Sequence, residues 1–348
     1  MQLAAVLVSL LSLITSNAFA TCDDYRLDKD GGVMEDMPVL NQRNVGSCYA
    51  QVSAQVLTAK LRLSDPKKYK DVMVSPLSLA LGFREYSDKN RYSSQNIPKR
   101  VNVIDGEKTY FPLNASEAFP ICEYKDVESK ISQLDFNFLF GNTSKALETV
   151  FASPNNETIN KISYDLCTQD NPQSHNLKDI RDVLSEVIKN DSPVKFVRYL
   201  IEGECKPIEI AHGLVNVNGQ HPAMSHNEVE IMNFVDKMFD ARHKLPIAID
   251  YCADFFHQGA SARGRKEFYA SNDTSEDSCG AHASVIVGRR TSISPKNGEK
   301  TCEYLIRNSW GTSCLGYNAE YTAKCEQGQV WVTKETLLKN ILGANSLE

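Results

Sequence analysis

The chain has 348 residues and a formal net charge of −6 at pH 7, with 44 acidic and 38 basic side chains. This balance leaves no basic stripe to neutralise phosphates, which argues against a nucleic-acid partner. The length is sufficient for one large domain or two small ones, and the acidity itself says little about a substrate.

The first twenty residues have the pattern of a signal peptide. Residues 4–14 are largely apolar, and the stretch ends in Ala18-Phe19-Ala20, a small-x-small cleavage site. The apolar core is too short for a membrane span and no basic residues follow it, so we expect no stable membrane anchor. A lipid anchor through Cys22 is disfavoured because a poor lipobox precedes it. We therefore predict export to a secreted, periplasmic or lumenal location, with an extended arm over residues 21–41.

The first helix is predicted to begin at Cys48. The apolar residues after it recur at spacings of three and four and make one stripe: Tyr49, Val52, Val56, Ala59 and Leu63. The sequence Ser64-Asp65-Pro66 predicts the end of this helix. A second apolar run, 73–83, opens with Ser75-Pro76, a favourable pair for an N-cap and a first helical residue.

The middle of the chain is polar and turn-rich. Residues 84–115 are predicted as turns, and polar loops are predicted at 153–156 and 168–176. An amphipathic helix capped by Asn176 follows, with apolar residues at helical spacing: Ile180, Val183, Leu184, Val187 and Ile188. A later helix has one apolar face: Ile231, Met232, Val235, Met238 and Phe239. It leads into a short strand, 245–250.

The last hundred residues are predicted to be rich in strands. One strand covers 283–287 and ends at Gly288, a second covers 304–307, and a third covers 329–332. The polar segment 292–300 joins the first two strands as a hairpin. A helical N-terminal part therefore faces a C-terminal sheet, and the expected fold class is α+β.

All ten cysteines lie beyond the signal peptide. In an exported protein most are expected to pair, and Cys314 with Cys325 is the favoured disulfide because both bound one polar loop. If Cys48 is set aside, the remaining number is odd, so at least one other thiol is free or pairs outside the chain. Zinc is the competing role, but no CxxC pair is present and His221 and His226 have the wrong spacing. We expect no metal and no organic cofactor.

Three short segments carry candidate catalytic residues. The first places Gln42 six residues before Cys48, which follows two small residues at the predicted helix start. The second contains His282 ahead of a strand, and the third is Asn308-Ser309-Trp310-Gly311. A thiol is a nucleophile only as thiolate, and a helix N-terminus with a neighbouring imidazolium lowers its pKa below the free value of about 8.5. We expect this effect at Cys48.

Each of these residues also has an ordinary structural interpretation. Cys48 alone is typical of a disulfide or core cysteine, Asn308 of a turn after a strand, and Gln42 of the surface. His282 differs from the six other histidines, because it alone precedes a strand with alternating apolar residues, which would hold its imidazole rigidly. The combination of the three segments favours the catalytic interpretation.

The order glutamine, cysteine, histidine, asparagine, with the sequences G-S-C-Y and N-S-W-G, resembles the papain-like cysteine peptidases. The resemblance implies a two-lobe α+β fold, with a helical N-terminal lobe, a β-rich C-terminal lobe and an active-site cleft between them. It implies Cys48 as nucleophile, His282 as general base and acid, and Asn308 as the residue that orients the imidazole. Gln42 would supply a donor to the oxyanion hole, and Trp310 would shield the bond between His282 and Asn308.

The chain departs from the family in three places. His282 lies much further from Cys48 than the roughly 130–150 residues typical of the family, so an insertion is expected at about 125–225. Val45 stands where the family usually has a cysteine, and the partner Cys-x-Gly-Gly segment is missing. The interval between the signal peptide and Gln42 is short, so no usual N-terminal propeptide is expected.

We therefore predict a papain-like peptidase domain over 21–348 that hydrolyses peptide bonds in peptides or proteins, as an endopeptidase or exopeptidase. The insertion is expected either as a cap over the cleft or as a peripheral addition, since long surface insertions are tolerated. Two other functions stay open. One is a catalytically inactive papain-like protein that binds a peptide or protein in the cleft. The other is a thiol acyltransferase, which would form the same acyl-enzyme and pass the acyl group to an amine.

Overall fold

The structure, a computed structural model, describes residues 22–43, 46–90, 108–131, 205–220, 227–259, 279–293 and 298–348, with isolated positions between 156 and 198. The predicted signal peptide, almost all of the helix expected after Asn176 and most of the expected insertion lie outside the described residues. Among the residues that it does describe, no helix is long and apolar enough to cross a membrane.

The first helix, α1 (Cys48–Ser64), begins and ends where the sequence predicts. It is buried over most of its length, and its interior hydroxyls at Ser53 and Thr58 donate to carbonyl oxygens one turn earlier, which satisfies them without water. The side chain of Asp65 then accepts two backbone hydrogen bonds from the first turn of α2 (Pro66–Tyr69). Asp65 therefore ends one helix and caps the next.

The next helix, α3 (Pro76–Asn90), also begins as predicted, because the Ser75 hydroxyl oxygen accepts a hydrogen bond from the Ser78 N–H at 3.0 Å. It continues well past the predicted end, and another helix, α4 (Tyr110–Ala115), forms later. The prediction of turns over 84–115 is therefore wrong at both places. Neither proline nor glycine interrupts the polar end of α3, so its backbone hydrogen bonds continue even though its apolar stripe stops.

The remaining described helices are α5 (Tyr124–Ile131), α6 (Glu228–Asp240), α7 (Phe255–Gln258), α8 (Ala319–Thr322) and α9 (Lys334–Asn340). The described strands are β1 (Tyr25–Arg26), β2 (Val217–Gln220), β3 (Ile247–Cys252), β4 (Ala281–Ile293), β5 (Lys300–Arg307), β6 (Cys325–Glu326), β7 (Gln329–Thr333) and β8 (Ile341–Leu347). They form one antiparallel sheet in the order β2-β8-β3-β4-β5-β7-β6, and β1 pairs with β4 outside this path.

The three predicted C-terminal strands are present as β4, β5 and β7, and the antiparallel pairing of β4 with β5 confirms the hairpin. The predicted strand end at Gly288 is wrong, because β4 continues to Ile293 with a register shift between Ile286 and Gly288. A Cβ at Gly288 would lie 3.0 Å from the carbonyl oxygen of Tyr25. The glycine therefore permits the close approach of β1 and does not end the strand.

Strand β8 was not predicted, although it lies inside the sheet between β2 and β3. Its sequence, Ile-Leu-Gly-Ala-Asn-Ser-Leu, lacks a clear alternation, yet every residue is buried. Its polar residues can be buried because they form hydrogen bonds with residues that are distant in the sequence. The Asn345 amide donates to the Thr109 hydroxyl at 2.8 Å, and Ser346 shares a hydrogen bond with His243 at 2.7 Å.

The core lies on both faces of the sheet. Alternate residues of β3 divide between the two: Ala248 faces a cluster shared with α1 and α3, whereas Ile247, Ile249 and Tyr251 face a cluster shared with α6 and α9. The helical N-terminal part thus packs against a C-terminal sheet, and the predicted α+β class is confirmed.

The N-terminal arm is packed into the first of these clusters. Its apolar side chains are buried: Leu27, Met34, Met37 and Leu40. The guanidinium of Arg307, on β5, donates to the Met37 carbonyl at 3.0 Å. The arm is therefore attached to the sheet along its length, and only its two residues in β1 are regular strand.

Four disulfides join described cysteines: Cys22–Cys302, Cys122–Cys205, Cys252–Cys279 and Cys314–Cys325. The predicted pairing of Cys314 with Cys325 is confirmed. Of the described cysteines, Cys48 is the free one. The remaining cysteine, Cys167, lies outside the described residues.

Candidate active site

The Cys48 thiol lies at the first residue of α1, against strand β4. Its sulfur accepts a hydrogen bond from the backbone N–H of Ala283 and is also approached by N–H groups of the helix's own first turn. These first-turn donors have no carbonyl partner within a helix, so they are available to an anion. Ser47 occupies the N-cap position, but its buried hydroxyl makes no hydrogen bond among the described residues.

The His282 imidazole lies on β4, one residue before Ala283, and is buried, with 8% exposure. Its Nε2 is 2.7 Å from Asn308 Oδ1. An amide oxygen only accepts, so Nε2 carries the proton and Nδ1 is the basic nitrogen of the neutral ring. The ring also meets the Tyr251 ring edge-on, with 5.7 Å between centroids.

Asn308 follows directly on β5 and is fully buried. Its Oδ1 accepts hydrogen bonds from His282 and from the Ser309 N–H, both at 2.7 Å. Its Nδ2 donates to the Tyr317 hydroxyl at 3.2 Å. The neutral amide therefore holds the imidazole without adding a negative charge beside it.

Gln42 is held close to Asn308 by a short pairing of two loops. The Gln42 N–H donates to the Ser309 carbonyl at 2.7 Å, and the Gly311 N–H donates to the Leu40 carbonyl at 2.9 Å. The Ser309 hydroxyl donates to Gln42 Oε1, which makes the oxygen the end of the amide directed at Ser309. Gly311 has φ +78°, and a Cβ there would lie 3.0 Å from the Asn41 side chain, so glycine suits this pairing.

The Trp310 indole covers the histidine. Its ring centroid lies 5.1 Å from that of His282 and 5.2 Å from that of His257, which it stacks upon at 17°. His257 was not predicted as part of the site. It is exposed, but it follows the paired aromatics Phe255 and Phe256, whose burial in α7 places it beside Trp310.

A buried carboxylate that is not among the predicted site residues acts on the thiol through its charge. Asp250 on β3 pairs in register with Ala283, and its two oxygens accept hydrogen bonds from the Thr109 N–H at 3.4 Å and the Thr109 hydroxyl at 3.1 Å. An acidic residue in the otherwise apolar run Ile-Ala-Ile-Asp-Tyr is the signal that marks it. Burial raises the pKa of Asp250 to about 6, against the opposing effect of the Thr109 donors.

The electrostatics differ from the sequence-based expectation. Burial raises the pKa of the Cys48 thiol to about 11, the Ala283 N–H opposes this, and the charge of Asp250 adds to it. Burial likewise lowers the pKa of His282 to about 4, with the Asn308 bond opposing and the charge of His257 adding. The expected lowering of the thiol pKa is therefore wrong for this structure, because the loss of water outweighs the helix N-terminus.

All five residues predicted for the site lie in one region. Cys48 contacts the residue after His282, His282 binds Asn308, and Gln42 is bonded to Ser309, while Trp310 stacks over the histidine. The set brings together a thiol, an imidazole with a defined tautomer, and amide donors near the sulfur.

No family model matches the sequence, and no curated protein matches it either. Among solved structures, the chain is similar to PepW of Lactobacillus rhamnosis, with 13% identity, 98% of this chain and 84% of that chain covered, and a TM-score of 0.48. It is similar to SERA5E of Plasmodium falciparum, with 15% identity, 94% and 95% covered, and a TM-score of 0.44. It is also similar to xylellain, a cysteine protease of Xylella fastidiosa, with 15% identity, 90% and 87% covered, and a TM-score of 0.39.

Proposed function

We propose that this chain is an exported cysteine peptidase of the papain-like type, in which Cys48 attacks the carbonyl carbon of a peptide bond. The observation that supports this most is the contact between the thiol and the Ala283 N–H, directly beside an imidazole whose Nε2–H is held by Asn308. The basic Nδ1 of His282 is then the nitrogen available to the thiol proton.

In the proposed reaction, the sulfur forms a bond to the carbonyl carbon while its proton passes to His282 Nδ1. The oxyanion is stabilised by the Cys48 backbone N–H and by the Nε2 end of the Gln42 amide, since its Oε1 is directed at Ser309. The imidazolium then protonates the leaving amine, and the carbon–nitrogen bond breaks to give a thioester. Finally, His282 takes a proton from water, which attacks the thioester and releases Cys48 as a thiol.

Export belongs to the same proposal. Four disulfides among the described cysteines fit an oxidising compartment, and the apolar segment at residues 4–14 supports a cleaved signal peptide. The proposed substrates are peptides or proteins, because the amide bond that this reaction would cleave is the backbone bond of these molecules.

The test is hydrolysis of a mixed peptide library, with product masses recorded in the presence of an added amine. We expect new carboxyl termini with the natural chain and none with Cys48→Ala. The matched control is Cys167→Ala, which removes the cysteine outside the described residues and is expected to keep full activity. Products that carry the added amine would instead indicate the acyltransferase.

The missing Cys-x-Gly-Gly segment and the large expected insertion favour a second candidate, a catalytically inactive protein that binds peptides in the same place. In that case the library would be retained by the protein and recovered uncleaved, equally by the natural chain and by Cys48→Ala. Cleavage by the natural chain alone would exclude this candidate.

A further inference from the structure

The Asn308 amide is held at both ends by buried groups. Its Oδ1 receives the His282 Nε2–H and the Ser309 N–H, each at 2.7 Å, and its Nδ2 donates to the Tyr317 hydroxyl at 3.2 Å. An amide can rotate by half a turn and exchange its oxygen and nitrogen with little change in shape. Its orientation must therefore be set by its partners.

The Tyr317 hydroxyl can only accept from this amide. Its single proton is donated to the carbonyl oxygen of Gly328 at 3.1 Å, which leaves only lone pairs for Asn308. Had the amide rotated, its oxygen would face these lone pairs and its nitrogen would face His282. The bond from Tyr317 to Gly328 thus disfavours the rotated form.

The positions of both partners are themselves closely determined. The Tyr317 ring is buried, stacks on Trp310 with 5.5 Å between centroids, and meets Phe256 edge-on at 5.1 Å. Gly328 has φ +81°, and a Cβ there would lie 1.9 Å from the Gly311 carbonyl oxygen. Only glycine allows the backbone to come this close, and this approach brings the Gly328 carbonyl to the hydroxyl.

A second pair of hydroxyls acts on the oxygen end. The Ser284 hydroxyl lies 3.5 Å from Asn308 Oδ1 in donor geometry, and the Tyr251 hydroxyl lies 2.9 Å from Ser284. When Tyr251 donates to Ser284, Ser284 is free to donate to Asn308. The oxygen end of the amide therefore faces a hydroxyl that can donate, and the nitrogen end faces a hydroxyl that accepts.

We propose that Tyr317 is a positioning residue, whose hydroxyl orients the Asn308 amide and thereby keeps the proton of neutral His282 on Nε2. With the oxygen directed at the ring, Nε2 must carry the proton and Nδ1 is left basic toward Cys48. With the amide reversed, the ring would favour the other tautomer, and Nδ1 would carry a proton that blocks its use as a base. As a statement about catalysis, this inference rests on the proposed peptidase function.

The experiment compares Tyr317→Phe with Tyr321→Phe. Both changes remove one hydroxyl from a buried ring of the same aromatic cluster, but the Tyr321 hydroxyl is bonded to Thr336, away from Asn308. For a cleaved peptide we expect Tyr317→Phe to lower kcat by about 10- to 100-fold with KM changed by less than about twofold. We expect Tyr321→Phe to leave both constants within about twofold.

A readout independent of activity is the nitrogen-15 NMR spectrum of His282. We expect the natural chain and Tyr321→Phe to show one tautomer, protonated on Nε2, and Tyr317→Phe to show a substantial share of the other. An unchanged His282 spectrum in Tyr317→Phe, with folding verified by its melting temperature, would overturn the proposal whatever the activity. A changed spectrum with no peptide cleavage by the natural chain would support the positioning role and reject the peptidase function.

Discussion

At the scale of single residues, two effects oppose each other at Cys48. A thiol pKa raised from 9.0 to about 11 corresponds to roughly 3 kcal/mol against the thiolate. A helix N-terminus contributes at most about 1 kcal/mol in its favour at most sites. Burial therefore opposes the thiolate more strongly than the helix N-terminus favours it, although Cys48 as a whole residue is only half-buried. In the proposed reaction the thiol proton moves to His282 as the sulfur attacks the carbonyl carbon.

Asp250 provides a test of this account. Its charge is one of the causes that raise the pKa of the thiol, so Asp250→Asn is expected to lower the pKa of Cys48. Asparagine retains an oxygen that accepts from Thr109, so the local packing is preserved. We expect alkylation of Cys48 by iodoacetamide at pH 8 to become about 3- to 10-fold faster.

The control for this measurement is Glu335→Gln, which makes the same change of charge at an exposed residue of α9 that is paired with Lys339. Its alkylation rate is expected to equal that of the natural chain. An unchanged or slower rate in Asp250→Asn would show that the carboxylate does not act on the thiol.

At the scale of elements, a second buried carboxyl group, from α5, packs against the start of α3. Glu128 on α5 accepts hydrogen bonds from the Ser75 hydroxyl at 3.0 Å and from the Leu77 N–H, and its other oxygen has no partner among the described residues. It thus caps the N-terminus of a helix from outside. Burial raises its pKa from 4.5 to about 8 in the folded protein, against these two hydrogen bonds.

This gives a pH-dependent stability with a defined sign. The folded form binds the Glu128 proton more tightly than the unfolded chain does. The contribution of protonated Glu128 to the free energy of unfolding is therefore fully present below about pH 4.5 and is lost as the pH rises through 8. We expect Glu128→Gln, which mimics the protonated form, to match the natural chain at pH 4.5 and to be more stable at pH 8.5 by up to a few kcal/mol. Urea unfolding at both values measures this difference.

The control is Glu123→Gln, one residue before α5, where the carboxylate is paired with Lys125 at 2.8 Å. Its effect on the free energy of unfolding is expected to be small and equal at both pH values. A Glu128→Gln variant that is less stable at pH 8.5 would contradict the assignment of a buried, uncharged Glu128.

At the scale of the whole molecule, the sequence correctly predicted those helices and strands whose apolar residues recur without interruption. The stripe from Tyr49 to Leu63 gave α1, and the aliphatic runs after residue 245 and residue 283 gave β3 and β4. Strand β8 was not predicted, because Asn345 and Ser346 are buried by hydrogen bonds to residues more than a hundred positions away in the sequence. The strand end predicted at Gly288 was wrong for a similar reason, because the glycine is needed for the approach of β1, which comes from the other end of the chain.

The site likewise divides into residues that the local sequence identifies and residues whose roles depend on distant partners. Cys48, His282 and Asn308 were predictable because each lies in a short segment with recognisable neighbours. His257 and Tyr317 were not, because nothing near them in the sequence shows which ring or amide they contact. Asp250 stands out as an acidic residue in an apolar run, but the sequence does not show that its charge acts on Cys48. The protonation state of the thiol was unpredictable for a further reason. It depends on how much water the assembled helix and sheet exclude, which no local motif contains.

The most direct measurement of the central claim is the intact mass of the purified, mildly reduced protein after treatment with an electrophilic peptidyl thiol reagent between pH 5 and 8. We expect one reagent per chain in the natural protein and in Cys167→Ala, and none in Cys48→Ala. This claim would be contradicted by no labelling of the natural protein, or by equal labelling of Cys48→Ala. Cys48 would then not be a nucleophile in a peptide-accepting site.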